Sequence, residues 1–256
     1  MPPASEIPGR IMSYALPEEE NLFPELSASA RFEDVGKGRR GTTLTRVDET
    51  GAVPLVRTTT RYGGPAQRFR PVHERLARRI EAVAALPPGF NNALIESYTN
   101  ACTTMGMHSD QALDLADESF IAVFSCYERP EESPPRKLVL ASKGPGGERF
   151  EVPLAHHGVV VFSVDSNRLL KHKIVLDTPD RRAANTWLGV TFRTSKTLVR
   201  YHDGHPHLPQ GERLVRADEE QSRAFYRLRR RENDETDFRY PPLTCTVSES
   251  DLMPPV

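Results

Sequence analysis

The sequence predicts a mainly β fold with flanking helices, arranged as a two-sheet sandwich or jelly roll. Two observations carry this. Short β-prone runs follow one another from Ala93 to Thr194 with turn-rich pieces between them. Helical periodicity is confined to two stretches, one opening at Pro71 and one around Asp218 to Arg231.

Taken in order, residues 1–30 are rich in Pro, Glu and Ser without a sustained period, and read as an extended N-terminal arm. Arg31 to Arg70 mixes Gly, Thr and Arg with β-prone pieces such as Thr42 to Val47, which fits hairpins or long loops. Pro71 then opens a helix whose stripe is Val72, Leu76, Ile80 and Val83, and Pro87-Pro88-Gly89 ends it. The strand-like runs are Ala93–Tyr98, Thr104–His108, Phe120–Cys126, Lys137–Ala141, Arg149–Leu154, Val159–Ser163, His172–Leu176 and Thr186–Thr194. Glu128 to Arg136 and Lys143 to Glu148 are turn-rich breaks among them. Residues 31–200 form the expected main domain. Residues 201–256 form a C-terminal extension, with His202 to His207 as a loop and then one polar helix. In that helix Asp218-Glu219-Glu220 lead and Arg227 with Arg229-Arg230-Arg231 close, as the helix dipole favours, so the arginines read as a solvated face.

Composition narrows the function classes. The 256 residues suit one sizeable domain with appendages. At 38% hydrophobic and 27% charged, a packed core with long polar excursions is expected. No apolar run nears the ~18–20 residues that span a bilayer, and the N-terminus lacks a signal-peptide pattern, so the expected setting is cytoplasmic or nuclear with no membrane partner. Cys102, Cys126 and Cys245 are odd in number and far apart, which argues against a disulfide framework or structural zinc. A net charge of −1 gives no overall positive field for nucleic acid, leaving only local patches such as Lys37 to Arg40 and Arg57 to Arg70. Oligomeric state is left open, with a monomer the expectation.

Chemistry concentrates in Met105-Gly106-Met107-His108-Ser109-Asp110. Residues two apart on a strand share a face, so His108 and Asp110 could hold one metal ion. A His and an Asp at a strand end in water is the ordinary alternative. His172, in Leu170 to Val175, would complete a 2-His-1-carboxylate set, which leaves positions open on non-haem Fe(II). Arg193, beyond it, is a cation where a dicarboxylate cosubstrate would need one. His202, His205 and His207 could also bind a metal, although a Pro-containing surface loop is the simpler reading.

From Arg57 to Arg193 the chain resembles the AlkB family of Fe(II)/2-oxoglutarate dioxygenases. The resemblance rests on ordered motifs. Arg61-Tyr62-Gly63 precedes the Pro71 helix, and Phe90 to Tyr98 is similar to a Phe-Asn-x-x-Leu-x-Asn-x-Tyr strand. His108-Ser109-Asp110 follows at a similar distance, then Phe120 to Ser125, Pro153-Leu154 with His157-Gly158, His172, and the terminal Thr191-Phe192-Arg193. The resemblance implies a double-stranded β-helix (jelly roll) of the Fe(II)/2-oxoglutarate oxygenase type. His108, Asp110 and His172 would be the catalytic iron ligands. Arg193, Tyr98 and Thr191 would contact 2-oxoglutarate, and O2 would be the second cosubstrate. Oxidative demethylation of N-alkylated bases in DNA or RNA is the implied activity, with Tyr62 able to stack on a flipped base and Arg57 to Arg70 near the substrate side.

Two departures fall in the implied cosubstrate pocket. Glu96 stands where the family carries Asn, and Trp187 where it carries an Arg six positions before the last one. The first removes a neutral partner, the second a bidentate one. Lys196, Arg182 or Arg193 could compensate. Two other readings therefore stay open: a same-fold oxygenase acting on a protein or small molecule, and a non-catalytic binding protein with a degraded cosubstrate site.

Overall fold

The computed structural model describes residues 11–17, 20–132, 135–144, 146–177 and 185–256. Its N-terminal half supplies β1 (Met12–Ala15), helix α1 (Phe23–Ala28), β2 (Glu33–Gly36), β3 (Arg39–Thr45), β4 (Val53–Leu55), β5 (Gln67–Arg68), helix α2 (Pro71–Val83), β6 (Asn92–Tyr98) and β7 (Phe120–Tyr127). Then come β8 (Lys137–Ser142), β9 (Arg149–Pro153), β10 (Gly158–Ser163), helix α3 (Val164–Leu169), β11 (Leu170–Val175) and β12 (Trp187–Arg193). The C-terminal part adds β13 (Thr197–His202), β14 (His205–His207), β15 (Val215–Arg216), helix α4 (Glu219–Asp234) and β16 (Cys245–Thr246).

The major sheet runs β1-β10-β7-β12-β6-β3-β2, with β5 beside β3, and a minor sheet runs β11-β8-β9. Apart from the short parallel β3–β5 pair, both are antiparallel. Alternation along β12 explains how one strand serves two layers. Leu188, Val190 and Phe192 join Phe124 and Ile95 in a core that includes Leu76 and Ile80 of α2 and Leu26 of α1. Trp187 faces the other way, into a second core with Tyr98, Val123, Leu138, Leu140 and Ile174 from between the two sheets. Helices, major sheet and minor sheet are thus stacked layers, and the second core ends in the cavity that holds the candidate site.

Local chemistry accounts for the helices. Pro71 opens α2, whose first turn is closed by the Arg70 N–H donating to His73 Nδ1 at 3.0 Å. Ser29 Oγ lies 2.7 Å from His73 Nε2, which ties α2 to the end of α1. In α4, Asp218 accepts from the Gln221 N–H at 2.8 Å and Gln221 Oε1 accepts from the Asp218 N–H at 3.0 Å, a capping box.

Three segments differ from the sequence expectation. Thr104–His108 is no strand: it touches the minor sheet only through bridges at Thr104↔Val175 and His108↔His172. The His108 ring spends Nδ1 on the Gly106 carbonyl at 2.8 Å, which bends the chain between the bridges. His202–His207 is a hairpin rather than a loop. Asp203 and Gly204 both take positive φ (50° and 78°), the primed turn that an Asp-Gly pair makes between two strands. In the N-terminal stretch, Met12–Ala15 pairs along β10 as an edge strand and Phe23–Ala28 is helical.

No helix among the described residues is long and apolar enough to cross a membrane. Phe192 is fully buried where α2 meets the major sheet. Phe192→Ala is expected to cost about 3–5 kcal/mol of stability. Urea unfolding checks this: the midpoint falls while the slope stays constant.

Candidate metal centre

His108, Asp110 and His172 converge, with one ligand atom from each lying within 4.8 Å of the others. Register brings them together. β11 hydrogen-bonds to the 108 segment through His108 N–H to the His172 carbonyl (2.9 Å) and His172 N–H to the His108 carbonyl (2.7 Å). The two imidazoles therefore lie side by side, with ring centroids 4.7 Å apart. Because a carbonyl only accepts, His108 Nδ1 carries the proton it gives to Gly106, and its Nε2 lone pair is free for a metal.

Electrostatics favour the ligating forms. Burial lowers the pKa of His172 to about 3, helped by the neighbouring His108, and burial also lowers that of His108, so both rings are neutral donors. Burial opposes ionisation of Asp110, but the charge and hydrogen bond of Arg193 outweigh it and hold its pKa down to about 2. The carboxylate divides its oxygens. Oδ2 accepts from Arg193 Nε (2.8 Å) and pairs with Nη2 (2.7 Å), while Oδ1 faces His172 Nε2 at 3.6 Å. Two neutral imidazoles and one anionic oxygen suit a borderline cation such as Fe(II), so the donor set fits the metal that the resemblance implies.

What holds the 108–112 segment was not visible in sequence. Asn167, within α3, accepts from the Asp110 N–H and donates to its carbonyl, both at 2.7 Å. It clamps the main chain, and Arg168 beside it pairs with Asp117 and Asp165 at the surface. The last turns of α4 do the rest. Arg229 donates to the Ser109 carbonyl, Asn233 Oδ1 accepts from the Ser109 N–H (2.9 Å), and Glu232 Oε1 accepts from the Ala112 N–H (2.8 Å). Arg229 also pairs with Glu232 at 2.6 Å, and Tyr240 from the tail donates to the same carboxylate at 2.6 Å. Arg229 is thus buried against the metal segment and is no part of a solvated face. Its i, i+3 spacing from Glu232 was the one available signal.

The metal group opens on a cavity of about 90 Å3, lined also by Arg39, Thr58 to Thr60, Glu96, Gln111, Thr191, Arg193 and Arg229. A groove of about 1090 Å3 lies elsewhere, between Asp117, Lys196 and the tail from Phe238 to Thr244, and none of the three candidate ligands lines it. Of the residues assigned to a cosubstrate, Thr191 lines the small cavity, Arg193 is engaged by Asp110, and Tyr98 donates its hydroxyl to Glu96 Oε2 at 2.9 Å. Glu96 Oε1 in turn accepts from Arg39 Nε at 2.8 Å, and Arg39 Nη2 closes the pair. Trp187 packs on Tyr98, with ring centroids 4.8 Å apart. The residues present therefore do not fit 2-oxoglutarate at its far end: among the described residues, each arginine lining the cavity, Arg39, Arg193 and Arg229, is already paired with a carboxylate.

The strip Arg57 to Arg70 is split. Arg57 is buried in a pair with Asp114 at 2.7 Å, and Tyr62 is buried, its hydroxyl without a hydrogen-bond partner among the described residues, so it offers no exposed stacking face. Lys196 pairs with Asp117 at the surface, and Arg182 lies outside the described residues.

No family model matches the chain, and no curated protein matches it. Solved structures do. One of them, "The structure of OsALKBH1", shares 14% identity over 75% of this chain and 100% of its own, with a TM-score of 0.52. At that identity the likeness speaks for the fold: an AlkB-like double-stranded β-helix.

Asn167→Ala is expected to weaken Mn(II) or Fe(II) binding by about 10- to 100-fold, because the side chain that orients Asp110 is gone. Calorimetric titration of the metal reads this. His108→Ala and Asp110→Ala should each abolish stoichiometric binding, and metal retained in both would refute the centre.

Proposed function

We propose that this protein is an Fe(II)-dependent dioxygenase that uses a 2-oxo acid, with His108, Asp110 and His172 as the iron ligands. One observation carries the reading: two neutral imidazoles and an ionised carboxylate, Asp110 and His172 buried and His108 half-buried, meet at the mouth of a cavity in an AlkB-like fold. Iron bound there supplies activation of O2 and oxidation of a substrate C–H bond; where that carbon is an N-methyl group, hydroxylation leads to loss of formaldehyde. Arg193 holds the outer oxygen of Asp110, which leaves the inner one for the metal. Asn167, Arg229 and Asn233 keep the ligand segment rigid, and Gln111, buried beside the centre with both amide atoms unpartnered among the described residues, offers a donor and an acceptor to a bound group.

The substrate class that the resemblance favours is an N-alkylated base in DNA or RNA. Arg61, exposed next to the cavity-lining Thr60 and 5.9 Å from the exposed ring of Tyr226, supports a polyanion. A cavity of only about 90 Å3 and the burial of Tyr62 favour the second reading, an oxygenase acting on a small molecule or a protein side chain. We take residues 31–200 as the catalytic domain, residues 1–30 as an arm, and residues 201–256 as an extension that braces the site.

The iron-loaded protein is expected to consume O2 with a 2-oxo acid, and to release formaldehyde when a methylated oligonucleotide is added. Oxygen uptake that ignores oligonucleotides would select the second reading. No uptake with any 2-oxo acid, by a protein that binds iron, would refute the oxygenase.

A further inference from the structure

Resting on the oxygenase reading, the chamber behind the metal shows which 2-oxo acid it takes. Along β12, Arg193, Thr191, Gly189 and Trp187 share the inner face, each about 6.6 Å beyond the last. Arg193 sits at the metal end, beside Asp110. Two steps on, register aligns Gly41, Glu96, Gly189 and Ser125 across four strands. One step further, Arg39, Tyr98, Trp187 and Tyr127 form the closing row. A chelating 2-oxo acid would therefore run its tail from the metal past Thr191 towards the Glu96 row.

That row is closed to an anion in three ways. The Trp187 indole folds back over Gly189 so closely that any Cβ there would overlap it. Glu96 is a buried carboxylate whose two oxygens are already taken by Arg39 and by Tyr98. The remaining cations of the cavity are spent: Arg193 on Asp110, and Arg229 on Glu232 and Ser109. A second carboxylate would share Arg39 with Glu96 or lie beside it without a counter-charge, and like charges in a dry site are strongly disfavoured. A shorter-reaching neutral tail brings no second charge, so neither the occupied Glu96 nor the spent cations oppose it. It finds the apolar cavity wall of Leu94, Val123, Leu138 and Ile174, and behind the Glu96 row lie two buried donors without partners among the described residues, Trp187 Nε1 and the Tyr62 hydroxyl, which comes within 2.8 Å of a Cβ placed on Gly41.

We propose that this chamber selects a 2-oxo acid with an uncharged tail over 2-oxoglutarate, and that Glu96 and Trp187 set the preference. Calorimetry on Mn(II)-loaded full-length protein, titrated with 2-oxoglutarate and with 2-oxopentanoate, tests it, since the two share a chain length and differ in the distal group. The wild type is expected to bind 2-oxopentanoate about tenfold more tightly. Glu96→Gln releases Arg39 and should shift the ratio towards 2-oxoglutarate by about tenfold or more; Trp187→Arg should do the same if it folds, and Glu96→Gln decides the matter if it does not. Wild type that binds 2-oxoglutarate as tightly as 2-oxopentanoate, or more tightly, overturns the inference alone. Mn(II)-loaded protein that binds neither acid overturns the oxygenase reading with it.

Discussion

An ionised carboxylate in a dry interior needs a fixed counter-charge, and the site is organised around meeting that need for Asp110. Arg193 takes one oxygen and leaves the other towards His172. Removing either partner would leave the other as an unpaired buried charge, a loss of about 3–5 kcal/mol. The pair also joins elements remote in sequence, because Arg193 ends the central strand of the major sheet while Asp110 lies in a segment without a strand of its own. The inner face of β12 can carry this polar row because its outer face, with Val190 and Phe192, is packed in the helix-side core.

The same logic recurs deeper in the cavity, with a different outcome. Glu96 is stabilised by Arg39 from the neighbouring strand and by the Tyr98 hydroxyl, so its charge is neutralised within the chain. Asp110 keeps an oxygen available while Glu96 keeps none. One carboxylate is poised for an external ligand and the other is a finished ion pair, although both are buried acids lining one cavity.

Most of the strand layout was legible because alternation is local. β6, β7, β10 and β12 fall where apolar, β-branched runs lie between turn-rich breaks. The segment Thr104–His108 misled because its pattern resembles a strand, whereas its main-chain partners are Val175 and His172 on β11, 60 or more residues away and outside any local window. His108, Asp110 and His172 were readable from residue type and order. Arg39 was not, because it reaches Glu96 only through the β3–β6 register, 57 positions along the chain. The arginines of α4 fitted the helix dipole so well that their solvation looked settled; what buries Arg229 is Glu232 on its own helix and Tyr240 from the tail. The Asp203-Gly204 turn was a local signal, overlooked among three histidines.

The docking of α4 on the ligand segment has a thermodynamic consequence. The helix grips Ser109 and Ala112 through main-chain bonds, so whatever orders those residues also favours the docked helix. By linkage, a metal bound at the neighbouring side chains and the closure of the C-terminal extension must strengthen each other by one and the same factor. Amide exchange in the last turns of α4 then becomes a gauge of metal occupancy, and the extension belongs to the binding equilibrium although none of its atoms is a proposed ligand.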